Sequence, residues 1–100
     1  MIVRYRTTLT ASGGSASGNT DDIRGLLQNI FVKPNTSTTT YDLKITDDQG
    51  DDIYEQKGLS GTHREQIIIP IKGIHTITIS NSSVAAEVFV VKLSLEEVPT

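Results

Sequence analysis

A chain of 100 residues and 10.9 kDa makes one domain, residues 1–100. Cysteine is absent, which excludes disulfides and thiolate metal sites. The net charge of −3 and a pI near 5.2 argue against a phosphate-backbone binder, and so against a nucleic-acid partner. No run of about 18 apolar residues is present, so no membrane contact by a spanning helix is expected. The opening residues 1–6 (MIVRYR) lack the apolar core of a signal peptide.

The composition favours strands. With 12 Ile, 7 Val and 13 Thr, about a third of the chain is β-branched, and there are only four Ala. Five aromatics and no Trp leave the core to Ile, Val and Leu. Residues 2–10 alternate, with Val3, Tyr5, Thr7 and Leu9 on one face and Arg4, Arg6, Thr8 and Thr10 on the other, which reads as a half-buried strand. Residues 11–20 (ASGGSASGNT) read as a loop or a short irregular edge strand.

Residues 20–34 are ambiguous. Ile23, Leu26, Leu27, Ile30 and Phe31 fit a helical face, and Thr20, Asp21 and Asp22 suit its N-terminus. Gly25 opposes that helix. A strand would instead place Leu26, Ile30 and Val32 together, interrupted by Gln28.

Residues 41–46 alternate cleanly, and Asp47-Asp48-Gln49-Gly50 is turn chemistry leading to a return strand at 53–56. Residues 57–62 (KGLSGT) read as another turn. In 66–71, Ile67, Ile69 and Ile71 share a face opposite Ile68, and Pro70 marks an edge strand or a strand end. His75, Ile77 and Ile79 alternate next, then Glu87, Phe89, Val91, Leu93 and Leu95; residues 96–100 read as a frayed tail. The whole is all-β: an antiparallel β-sandwich, Ig-like or jelly-roll-like, of about seven strands.

No constellation for catalysis emerges, so no enzyme and no cofactor are expected. Five acids lie between Asp42 and Asp52, but counting from Asp47 the calcium-loop spacing fails, and a solvated turn is the simpler reading. His75 reads as packed and His63 as exposed in a turn, with no metal or triad partner for either. Ser12-Gly13-Gly14-Ser15 lacks the Gly-Lys-Ser/Thr ending of a phosphate loop. Two surface features stand out. Arg4 and Arg6 lie on the outward face of the first strand, and the apolar Val88, Val90 and Ile68 point away from their strands' core faces.

Several segments together resemble small β-sandwich structural proteins of tailed bacteriophages: capsid decoration (cement) proteins and related head or tail accessory proteins. These are 5–10 (YRTTLT), the Gly/Ser-rich 11–19, 24–34 (RGLLQNIFVKP), 41–50 (YDLKITDDQG), 69–73 (IPIKG), 77–81 (ITISN) and the closing strand. The resemblance implies a strand rather than a helix over 25–34 and carries no catalytic residue. It implies a virion location on the capsid surface, the major capsid protein as partner, and a homo-oligomer, most often a trimer. On that reading Arg4 and Arg6 contact the shell, and Ile68, Val88 and Val90 form the self-contact. A head–tail adaptor or tail accessory protein is the alternative. A carbohydrate-type binding sandwich is the further one, disfavoured by the lack of Trp and by few aromatics (Tyr5, Phe31, Tyr41, Tyr54, Phe89).

Overall fold

Alternation in the β-branched segments becomes eight strands in the computed structural model, which describes residues 2–96. They are β1 (Ile2–Thr10), β2 (Ala16–Asn19), β3 (Ile23–Pro34), β4 (Thr40–Thr46), β5 (Asp52–Ser60), β6 (His63–Gly73), β7 (Thr76–Ser80) and β8 (Val88–Glu96). Two four-stranded antiparallel sheets result, ordered β1-β8-β3-β6 and β2-β7-β4-β5. The order follows from one operation. The chain doubles back at the β4–β5 turn, so that β1 pairs β8, β2 pairs β7, β3 pairs β6 and β4 pairs β5. This long double strand then rolls up, bringing β3 against β8 and β4 against β7. That is the jelly-roll variant of the sandwich, with one strand more than the sequence count.

The extra strand is β2, the short edge strand allowed for in 11–20. Residues 57–62 are a correction: β5 runs on to Ser60, and only the step to β6 turns. Gly61 sits there at φ +65°, where a Cβ would lie 2.6 Å from the Ser37 carbonyl oxygen. β6 is an edge strand, as Pro70 requires.

Residues 20–34 contain no helix. β3 is a strand with a bulge at Gln28, which lies between Leu27 and Asn29 where β8 steps directly from Leu95 to Ser94; on the other side, Ile67 and Ile68 of β6 stand against the same step. Before the bulge Ile23 and Leu27 point into the core; after it Ile30 and Val32 do. The one-residue phase shift brings buried positions to 23, 27 and 30, a spacing that imitates a helix. It also places Leu27, rather than Leu26, in the core with Ile30 and Val32.

Between the sheets lie Leu9, Leu27, Ile30, Val32, Leu43, Ile45, Ile77, Ile79, Val91, Leu93 and Leu95. Tyr41 and Phe89 meet edge to face at 5.0 Å, and the Tyr41 hydroxyl donates to the Gly61 carbonyl at 2.8 Å. Full burial of side chains of this size stabilises by about 1.5–3 kcal/mol each. One carboxylate is buried at the end of the sandwich. Glu87 accepts from the Thr39 hydroxyl at 2.5 Å, the Thr36 amide at 3.0 Å and the Val88 amide at 2.9 Å. It thereby ties the β3–β4 connection to the start of β8.

Candidate ligand-binding site

The bulge in β3 decides what faces outward beyond it. Phe31 and Lys33 point away from the core while Ile30 and Val32 point in. Pairing sets Phe31 opposite Lys92 on β8 and Arg64 on β6, and Lys92 opposite Arg6 on β1. The four side chains form one cross-strand row, Arg6–Lys92–Phe31–Arg64, spanning three strand intervals or roughly 14 Å. The Arg64 guanidinium lies 4.9 Å from the Phe31 ring centroid and the Lys92 ammonium 5.1 Å. Each such contact is worth about 0.5–1 kcal/mol at an exposed site. The neighbouring row is Arg4–Ser94–Asn29–Gln66.

A depression of about 600 Å³ lies over these two rows, lined by Arg4, Arg6, Asn29, Phe31, Arg64, Gln66, Lys92 and Ser94 among others. A second hollow shares Asn29 and Gln66 with it and continues past Gln28 to Ile68. The bulge therefore sits where the two hollows meet.

Charge is distributed unevenly. Arg4, Arg6, Arg24, Lys33, Arg64, Lys72 and Lys92, seven of the nine cations, occupy outward positions of the first sheet. Among the described strand residues of that sheet, Glu96 is the acid at an outward position, and Glu65, on the inward side of β6, also reaches the lining of the depression. The acids of the β4–β5 hairpin and Asp42 belong to the second sheet, as do Lys44 and Lys57. Net charge averaged over the chain hides this separation.

The five positions singled out in the sequence all lie on the first sheet's outer face, and the structure separates them. Arg4 and Arg6 line the depression on the open edge strand β1. Ile68, 77% exposed, lies in the second hollow on the opposite edge strand β6. Val88 and Val90 stand toward the other end of β8, where Val88 is 36% exposed and Val90 half-buried. The valines and Ile68 do not adjoin one another in the strand registers. Sequence reading missed Phe31, Asn29, Arg64, Gln66 and Lys92. The available signal was phase: Arg64, Gln66 and Lys92 fall on the polar face of their strands, and counting back from Val32 puts Phe31 outside.

The remaining candidates are structural. Asp47 accepts the amides of Gln49 and Asp51 at 2.9 Å each, which is how a turn is built. No group of three or more His, Asp or Glu suited to a metal occurs among the described residues. His75 is buried, with its backbone amide donating to the Thr20 hydroxyl at 2.9 Å. His63 differs from expectation. It opens β6, is half-buried, and places Nε2 3.0 Å from the Tyr54 hydroxyl. That hydroxyl also donates to Glu65 at 3.2 Å, and burial with the Glu65 charge pushes Tyr54 above its ordinary range. The cluster links the edge strands β5 and β6 across the open side of the sandwich. The tail beyond Glu96 lies outside the described residues.

No family model and no curated protein matches the chain. Solved structures with a similar course include the carbohydrate-binding module TmCBM61 in complex with β-1,4-galactotriose, at 15% identity and TM-score 0.44, covering 92% of this chain and 70% of that one. The CBM36-1 domain of a multidomain xylanase from the hindgut metagenome of Trinervitermes trinervoides aligns at 13% identity and TM-score 0.45, covering 95% and 99%. The enzymatically active domain of bacteriophage CBA120 tailspike protein 4 aligns at 13% and 0.43, covering 95% of this chain and 19% of that one. At these identities and scores none of them carries a functional assignment.

Proposed function

We propose that this chain is a non-catalytic binding module that holds a saccharide on the outer face of the β1-β8-β3-β6 sheet. The observation that carries the reading is the Arg6–Lys92–Phe31–Arg64 row beneath a depression of about 600 Å³. A sugar ring offers an apolar C–H face and a rim of hydroxyls. Phe31 supplies an apolar surface for the first. Asn29, Gln66 and Ser94 supply amide and hydroxyl groups that donate and accept for the second. The row stands on strands whose inward neighbours are packed, so the side chains are held on a rigid support.

Isothermal titration or affinity electrophoresis against a panel of soluble plant and microbial polysaccharides tests the reading. Phe31→Ala is expected to weaken the retained glycan about tenfold, the loss of roughly 1.4 kcal/mol, with an unchanged circular dichroism spectrum. Binding that is indifferent to Phe31 sinks the site.

A second reading, virion decoration, keeps the sequence resemblance and one observation. β1 is an open edge strand carrying Arg4 and Arg6 outward, available for strand addition to a shell subunit. Its test is the copy number of this chain in purified particles, measured against the major shell protein: near one per shell subunit for cement, a dozen or fewer for a head–tail part.

A further inference from the structure

The depression is more cationic than a neutral sugar requires. Arg4, Arg6, Arg64 and Lys92 stand in two adjacent rows with no acid in either, and the one acid in the lining, Glu65, belongs to the inward side of β6, where its carboxylate accepts from the Tyr54 hydroxyl. Like charges held this close repel one another, and a bound anion relieves that repulsion. We infer that the ligand is an acidic polysaccharide carrying carboxylates, and that Arg64 is the residue that grips one of them. This rests on the saccharide reading above.

Arg64 is prepared for that task. Its guanidinium lies over Phe31 at 4.9 Å. An arginine's planar N–H fork can meet a carboxylate with two parallel hydrogen bonds, and the contact with Phe31 holds that fork over the depression. Lys92 on the same ring offers a point charge without that geometry. Arg4 and Arg6 stand two residues apart on one face of β1, about 7 Å along the strand. They can meet the charge of a further sugar in the same chain. Polyuronates combine what the lining asks for, carboxylates for the cations and hydroxyls for Asn29, Gln66 and Ser94.

A single-stranded nucleic acid is the competing polyanion. Such ligands bind through several aromatic platforms on which successive bases stack. Here Phe31 is the one described aromatic at an outward position of this sheet: Tyr5 lies on the inward side of β1 with its hydroxyl donating to the Asn19 carbonyl, and Tyr41, Tyr54 and Phe89 are buried. A run of stacked bases would find a single platform, whereas a saccharide needs no more than one.

The test is direct titration of the full chain with polygalacturonate, with its carboxyl-reduced neutral form, and with an oligo-dT of similar length. Each is measured at low and at physiological ionic strength. Polygalacturonate is expected to bind at least about tenfold more tightly than the reduced polymer, and to weaken as salt rises. Arg64→Lys keeps the charge and is expected to lose about tenfold, because the planar fork is gone; Arg64→Ala is expected to lose more. Equal binding of the native and reduced polymers overturns the acidic-ligand inference and leaves the saccharide reading standing. Oligo-dT binding as tightly as polygalacturonate overturns it in favour of a nucleic acid. An Arg64→Lys variant that binds like the parent removes Arg64 as the clamp. If neither these polymers nor any neutral glycan binds, the saccharide reading itself has failed.

Discussion

Glu87 is a single residue on which two distant parts of the chain depend. Its hydrogen bond from the Thr39 hydroxyl, and then those from the Val88 and Thr36 amides, hold its carboxyl below the usual 4.5 against the opposing effect of burial. A carboxyl whose folded value is lowered contributes stability that is fully present above its unfolded value and is lost as pH falls through the folded one. The urea midpoint is therefore expected to fall more steeply from pH 6 to pH 3 in the parent than in Glu87→Gln. Parallel acid limbs for the two proteins would remove Glu87 as a source of acid sensitivity. The parity of Glu87 with Phe89, Val91 and Leu93 was legible in the sequence, since all four alternate inward. Its partners were not, because Thr36 and Thr39 sit some fifty residues away in a stretch of near-identical small polar residues. His63 escaped for a related reason. A polar residue beside a turn reads as exposed until the Tyr54 hydroxyl is found across the sandwich opening.

At the scale of elements, strand alternation carried most of the fold. β1, β4, β6 and β8 place their core residues on the face that period-two counting assigns. β3 resisted, and the cause is one residue. Gln28 adds a step without a partner, and every side chain after it changes phase with respect to the first half. Hydrophobic spacing summed over both halves then looks helical. The same step brings Asn29 and Phe31 into two adjacent outward rows. Deleting Gln28 joins Leu27 to Asn29 in regular register with β8, where they face Leu95 and Ser94, but leaves one step of β3 against the three from Ile69 to Gln66 on the edge strand β6. The two hollows that meet at the bulge would change shape. The expected result is a cooperative thermal transition lower than the parent's, with the affinity for polygalacturonate reduced several-fold. An unfolded deletion variant would show that the bulge serves the sheet rather than the site.

The molecule as a whole is electrically lopsided. Seven cations cover one broad face, and the β4–β5 hairpin gathers acids at the other sheet. Composition reports the sum of these, −3, and that sum argues against a phosphate-backbone partner. It does so only for a charge spread evenly, whereas a surface meets its partner one patch at a time. At pH 7 and low salt the protein is expected to be retained on a cation-exchange resin despite its net negative charge. Reversal of Arg4 and Arg6 to Glu should release it in the void. Flow-through of the parent would show that the acidic sheet dominates at the range of contact.

The rolled topology also has a temporal side. Among the described residues β1 finds its ladder partner in β8, at pairs such as Tyr5 with Leu93, while β4 and β5 are joined by a tight turn. Closing loops that long before any contact rewards them makes jelly rolls slow to fold. On a ribosome the middle hairpin can form early. Meanwhile the first strand waits with its N–H and C=O groups unpaired until the last has emerged. Arg4 and Arg6, alternating along that waiting strand, supply the like charges that discourage two nascent copies from pairing with each other.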